Sequence, residues 1–187
     1  MAKTQKFLNA VRIIFKNEGG YVDNPNDSGG KTNMGITEGT LRTANKYGIT
    51  KVTDVRNLTR DICENIYYEM YWKTCGAEDL MEPIDLMHFD ASVHHGVAGA
   101  NKILQKAINN VLDSNVLVVD GIVGKNTKNY IDKVITDTNS AKNFSLIYLD
   151  ERDKTFQSIV NRAPKNKVFL KGWLNRTKEL RRIVKSF

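Results

Sequence analysis

The chain has 187 residues, 41% hydrophobic and 26% charged, with 3 prolines and 2 cysteines. That is enough for one well-filled body, too little for two large domains, and it excludes an intrinsically disordered chain. A formal net charge of +7 implies attraction to polyanions such as nucleic acid, anionic lipid or an anionic wall polymer, and charge alone does not choose among them; surplus lysines also serve solubility. The apolar run of the first 20 residues is interrupted by Arg12 and Lys16, so a secretory signal is not expected. The expectation is a protein made in the cytoplasm that reaches any outer target through a separate system.

In chain order, Lys3 to Asn17 is expected to be a helix with Phe7, Val11, Ile14 and Phe15 on one face, and Glu18 closes it just before Gly19 and Gly20. The Asn-, Asp- and Gly-dense loop that follows ends near Gly35 and has room for a short hairpin. Ile36 to Tyr47 reads as a second helix with Thr37 as N-cap and Gly48 as terminator. Thr59 caps a third, Arg60 to Tyr71, which carries Ile62, Ile66, Tyr67, Met70 and Tyr71 and ends at Trp72.

After a break over residues 75–83, Ile84 to His95 is apolar enough to be a buried central helix, and Val97 to Leu112 is a separate one. Asp120-Gly121 and Gly124 mark turns, and helices over Thr127–Ile135, Ser140–Arg162 and Val168–Phe187 complete an all-α chain. Cys63 and Cys75 lack zinc-ligand spacing and read as buried thiols. Two lobes are expected, 1–96 and 97–187, packed as one compact body.

The chemistry centres on Glu18 and Asp27, nine positions apart across the loop. A carboxyl anchored at a helix end against the core keeps its proton near neutral pH, whereas one in a polar loop stays ionised, and glycoside hydrolysis requires that division of roles. Thr32 and Asn33 supply neutral donors and acceptors for a water or a sugar hydroxyl. The alternative is a plain connecting loop in which Asp27 makes an Asx-turn. Tyr21 and Trp72 are the aromatic residues expected to offer ring faces to a sugar. Asp90 and His94, four apart on the central helix, stand either under a cleft or as a satisfied polar pair in the core. His94-His95 does not make a metal site, since neighbours on a helix point apart, and no metal or cofactor is expected.

The stretch EGGYVDNPNDSGGKTNMGIT, followed by FDASVHHG, LQKA, DGIVGKNT and FLKGWLNR, resembles glycoside hydrolase family 108, N-acetylmuramidases of phage endolysins and bacterial secretion-activator-like proteins. The resemblance spans nearly the whole chain. It implies a lysozyme-like helical fold and cleavage of peptidoglycan between N-acetylmuramic acid and N-acetylglucosamine. It makes Glu18 the catalytic acid, with Asp27 and the following Thr32 and Asn33 as the second part of the site; the Asp-to-Thr spacing is one residue shorter than in phage lysozymes. His94 stands where the family usually has Asn. Val97 to Lys128 resembles the family's predicted peptidoglycan-binding region; read as residues only, it is a helical hairpin. A non-catalytic wall-binding or secretion-accessory protein, and a lytic transglycosylase, are the alternatives.

The last helix surrounds Leu174, Leu180, Ile183, Val184 and Phe187 with Arg176, Lys178, Arg181, Arg182 and Lys185. It is either a docked terminal helix with a charged outer face or a weak contact to anionic membrane. No nucleic-acid motif accompanies the charge, and a monomer is expected.

Overall fold

The computed structural model describes residues 3–17, 21 and 30–187. The chain divides into two compact units, Met1–Thr74 and Cys75–Phe187. Helix α1 (Gln5–Asn17) opens the first unit. A hairpin follows, β1 (Thr32–Asn33) antiparallel to β2 (Ile36–Thr37), with Thr32 opposite Thr37 and Asn33 opposite Ile36. Next come α2 (Glu38–Lys46), a 3-10 turn Val55–Asn57, α3 (Arg60–Tyr67), a π-helical turn Tyr68–Trp72 and the single turn α4 (Lys73–Cys75).

The second unit holds α5 (Ile84–Val111), α6 (Lys125–Val134), α7 (Thr138–Arg162) and α8 (Lys167–Ser186). Among the described residues the hairpin is the only sheet, so the chain is all-α as the periodicity implies. No described helix is long and apolar enough to cross a membrane.

Local chemistry explains most of the boundaries. Thr37 Oγ1 accepts from Thr40 N at 3.1 Å and Thr59 Oγ1 accepts from Ile62 N, each satisfying an amide that the first helical turn leaves unpaired. Thr37 thus belongs to β2 as well, and α2 begins two residues later than the sequence suggests. The third helix does not run α-helically to Tyr71. After Tyr67 it widens into the π turn, a one-residue excess in the ladder. Gly96 has φ 72° and ψ 159° inside α5, a backbone region open essentially to glycine alone. Helix α5 is therefore two rods joined at Gly96, as the sequence indicates, the second ending at Val111 with Leu112 as its cap.

The apolar stripe of α1 is the core of the first unit. Phe7, Val11 and Ile14 are fully buried, and Phe7 meets Tyr68 and Trp72 edge-on at 5.0 and 5.6 Å. In the second unit α7 packs against both α5 and α8. Phe89, Ile103, Leu104, Phe144, Tyr148, Phe156, Leu180 and Val184 fill the space between them. Cys63 and Cys75 carry no disulfide and are buried, and burial pushes each thiol up to about 11, which keeps them unreactive.

Candidate functional site

Glu18 and Asp27 lie outside the described residues. The elements on either side of them are described. Helix α1 ends at Asn17, one residue before Glu18, and its direction is fixed by the buried Phe7, Val11 and Ile14. Phe15 adds an edge-on contact to Tyr67 at 5.6 Å and lies under the Arg60 guanidinium at 4.8 Å.

On the far side of the loop stands the hairpin that carries Thr32 and Asn33. Its two-residue turn, Met34-Gly35, has φ of 48° and 76°, positive at both positions as a tight hairpin with the native twist requires. Gly35 takes that geometry without strain, but Met34 does not. The turn is held by Tyr67, whose hydroxyl donates to the Met34 carbonyl at 3.0 Å. Asn33 Nδ2 donates to the Val55 carbonyl at 2.8 Å, so that amide braces the hairpin against the 3-10 turn and its Oδ1 is left as the side chain's acceptor. Thr32 Oγ1 donates to the Gly30 carbonyl at 3.3 Å, and both residues are half-buried. Tyr21 is exposed.

Two expected substrate contacts are corrected. Trp72 is fully buried beside Phe7 at the end of the π turn, so its ring offers no face to a sugar. Asp90 is also fully buried. It accepts from Arg152 Nη1 at 2.6 Å and from Arg176 Nε at 2.9 Å, and Arg176 Nη2 lies 2.7 Å from its Oδ2. Burial alone would raise the Asp90 pKa, but the charges of Arg176 and Arg152 outweigh it and hold the carboxyl far below the usual carboxylate range. Asp90 is a tie between α5, α7 and α8, and its partners are these arginines rather than His94.

His94 keeps an exposed edge and meets Phe156 and Trp173 edge-on at 5.2 and 5.7 Å. Burial of its ring, with the charges of Arg152 and Arg176, lowers its pKa to about 4. His94 thus makes aromatic contacts and carries no charge at neutral pH. Among the described residues no three His, Cys, Asp or Glu come together to hold a metal.

Arg152 and Arg176 escape the sequence reading. Arg176 is counted there with the charged outer face of α8, yet it is 14% exposed. Arg152 sits at spacing four between Tyr148 and Phe156, both fully buried, and a charge in that register of an apolar stripe is the signal that identifies it. The rest of α8 docks on α7: Leu180 and Val184 are buried, and Arg181 pairs with Asp150 and Asp153 at 2.5 and 2.9 Å.

In the second unit Gln105, almost completely buried, organises the Asp120–Ile122 turn. Its Nε2 donates to Asp120 Oδ1 at 2.7 Å and to the Ile122 carbonyl at 3.2 Å, and its Oε1 accepts from Gly121 N at 2.8 Å. Asn101 Nδ2 adds a bond to the Gly121 carbonyl at 3.0 Å. Gly121 has φ 85°, and a Cβ there would stand 2.8 Å from the Ala98 carbonyl oxygen, so only glycine fits. The motifs LQKA and DGIVGKNT are thus two halves of one hydrogen-bonded structure.

Comparison with known proteins places this architecture. Residues 11–96 match the family Glycosyl hydrolase 108, and residues 99–178 match a Predicted Peptidoglycan domain. The solved structure of Brucella abortus SagA is similar, with a TM-score of 0.77 and 31% identity over 97% of this chain and 94% of that one. No curated protein matches the chain. Fold, motifs and matches define a peptidoglycan-directed protein of the glycoside hydrolase class. The chain belongs to the glycosyl hydrolase 108 family.

Proposed function

We propose that the chain is an N-acetylmuramidase that hydrolyses the β-1,4 bond between N-acetylmuramic acid and N-acetylglucosamine, with Glu18 as general acid. The observation that carries this reading is the family match over residues 11–96, within which Glu18 follows directly on a helix whose direction is set by its buried stripe. Glu18 donates its proton to the leaving glycosidic oxygen. Asp27, in a loop of Asn, Ser and Gly, is the ionised partner, stabilising positive charge on the sugar ring or activating water. Thr32 and Asn33 stand at the loop's far end, where the braced hairpin supports hydrogen bonds to a water or a sugar hydroxyl. Tyr21, exposed, offers a ring to the glycan. The net positive charge draws the protein to an anionic wall.

The test is product analysis of purified peptidoglycan digested by the parent protein and by Glu18→Gln. New reducing ends ending in N-acetylmuramic acid are expected from the parent. The variant is expected to lose about 10²–10⁴-fold in rate, the contribution of a positioned general acid. A fully active Glu18→Gln protein refutes the role of Glu18. Products with 1,6-anhydro ends replace hydrolysis with transglycosylation, and a parent that binds the wall without releasing fragments makes the chain a binding protein.

A further inference from the structure

The second unit carries a groove that no step above uses. It has a volume of about 450 Å³ and lies between the C-terminal rod of α5 and the C-terminal half of α7, within the size range of ligand sites. Ile103, buried, and Ile159, half-buried, give it an apolar surface, and Gly99 contributes no side chain. Ser158 supplies a hydroxyl donor, whereas the Thr155 hydroxyl donates to the Glu151 carbonyl at 2.8 Å and keeps only acceptor capacity.

Its exposed charges are Lys102, Lys106 and Arg162, and among the described residues no acidic residue lines it. Lys102 and Lys106 act through space on Asp120 and Glu151, yet neither forms an ion pair among the described residues. Glu151 is committed to Lys154 at 2.7 Å, and Asp120 to Gln105 and the Ile122 amide. Arg162 donates through Nε to the Ser158 carbonyl at 3.3 Å, which leaves its terminal nitrogens as donors.

His95 also lines the groove. Its Nε2 accepts from Arg152 Nε at 3.4 Å, so the ring proton sits on Nδ1. Burial, reinforced by the Arg152 charge, lowers its pKa to about 3. The ring is a neutral donor throughout the working range of pH, while Arg152 adds positive potential behind it.

Three cations, neutral donors and an apolar floor without an acidic group suit a ligand with separated carboxylates and small apolar side chains. A sugar chain is a poorer fit, because His95 is the groove's only ring among the described residues and saccharides are gripped by open aromatic faces. A phosphate polymer would leave the apolar floor unused. All but one of the lining residues fall in 99–178, the stretch that matches the Predicted Peptidoglycan domain.

We propose that this groove binds the short peptides that branch from peptidoglycan strands, holding their free carboxylates on Lys102, Lys106 and Arg162. The inference rests on peptidoglycan being the substrate, and it assigns to the second unit the peptide part of that polymer rather than the sugar.

The experiment uses the full chain with Glu18→Gln, which is expected to slow turnover, and reads amide chemical shifts by NMR. The probes are the N-acetylated wall tetrapeptide L-Ala-γ-D-Glu-meso-diaminopimelate-D-Ala, its amidated form without free carboxylates, a β-1,4 N-acetylglucosamine oligomer and poly(glycerol phosphate). The acidic peptide is expected to shift the amides of Gly99, Lys102 and Ser158. Charge reversal of the two surface lysines, Lys102→Glu with Lys106→Glu, is expected to weaken it about tenfold, and added salt to weaken it further.

The proposal is overturned if the peptide shifts none of these amides, if the amidated form binds equally well, if the double variant binds like its parent, or if the oligosaccharide or the phosphate polymer takes the groove instead. Release of reducing ends by the parent is measured separately. Cleavage without peptide binding removes this inference and leaves the muramidase reading intact; peptide binding without cleavage does the reverse.

Discussion

Replacing Asp90 with Asn leaves two guanidiniums facing a neutral amide inside the second unit. Arg152 is fully buried and Arg176 nearly so, so neither is well hydrated when its counter-charge is removed. Loss of one partner from a buried pair costs about 3–5 kcal/mol. The lower end applies here, because the Asn oxygen still accepts one hydrogen bond and Arg176 has a path to water. At roughly 2–4 °C per kcal/mol for a chain of this length, about 3 kcal/mol lowers Tm by roughly 6–12 °C in thermal unfolding followed by circular dichroism at pH 7. The folded Asp90 pKa lies below the unfolded value of about 3.9. Its contribution is therefore complete above about pH 4 and drains away as pH falls toward the folded pKa, so parent and variant converge in acid. The double change Asp90→Leu with Arg152→Met removes the fully buried pair and leaves only Arg176, which has its path to water, and is expected to lose less than the two single changes summed. A Tm drop below about 2 °C for Asp90→Asn, or a gap that does not narrow in acid, refutes the reading of Asp90 as the tie between three helices.

Gly96→Ala meets no atom within 4 Å, so its cost is backbone strain alone, about 1–3 kcal/mol, measurable as a lower urea midpoint. Gln105→Leu strands the buried Gly121 amide and removes one of the two bonds to Asp120 Oδ1, and is expected to cost about 1–3 kcal/mol; hydrogen exchange at Gly121 should quicken while amides in the first unit keep their protection. His88 is fully buried with Nδ1 3.0 Å from the Tyr148 hydroxyl, and burial lowers its pKa to about 4. The unfolded chain then binds more protons between pH 6.5 and 4, so stability falls as pH drops through that window, and the His88 ring should show no NMR titration above about pH 5.

Much of this was legible along the chain because its causes are local. The 3.6-residue apolar spacing of α1, the Thr37 and Thr59 caps and the breaks at Gly48 and Gly96 depend on residues within a turn or two of one another. Glu18 was likewise marked by its place after such a helix, and the family's motifs stand in the sequence in their order.

What the sequence could not express was partnership across distance. The carboxylate of Asp90 looks the same whether it faces a sugar or two arginines, and the arginines that decide it lie 62 and 86 positions away. Trp72 ends a helix either way, and only its packing against Phe7 shows that it faces inward. Gln105 and Asp120 belong to separate motifs until α5 and the turn meet. Periodicity and capping are written by neighbours, so sequence alone determines them; burial and pairing of charge are written by packing, and only the tertiary structure decides them.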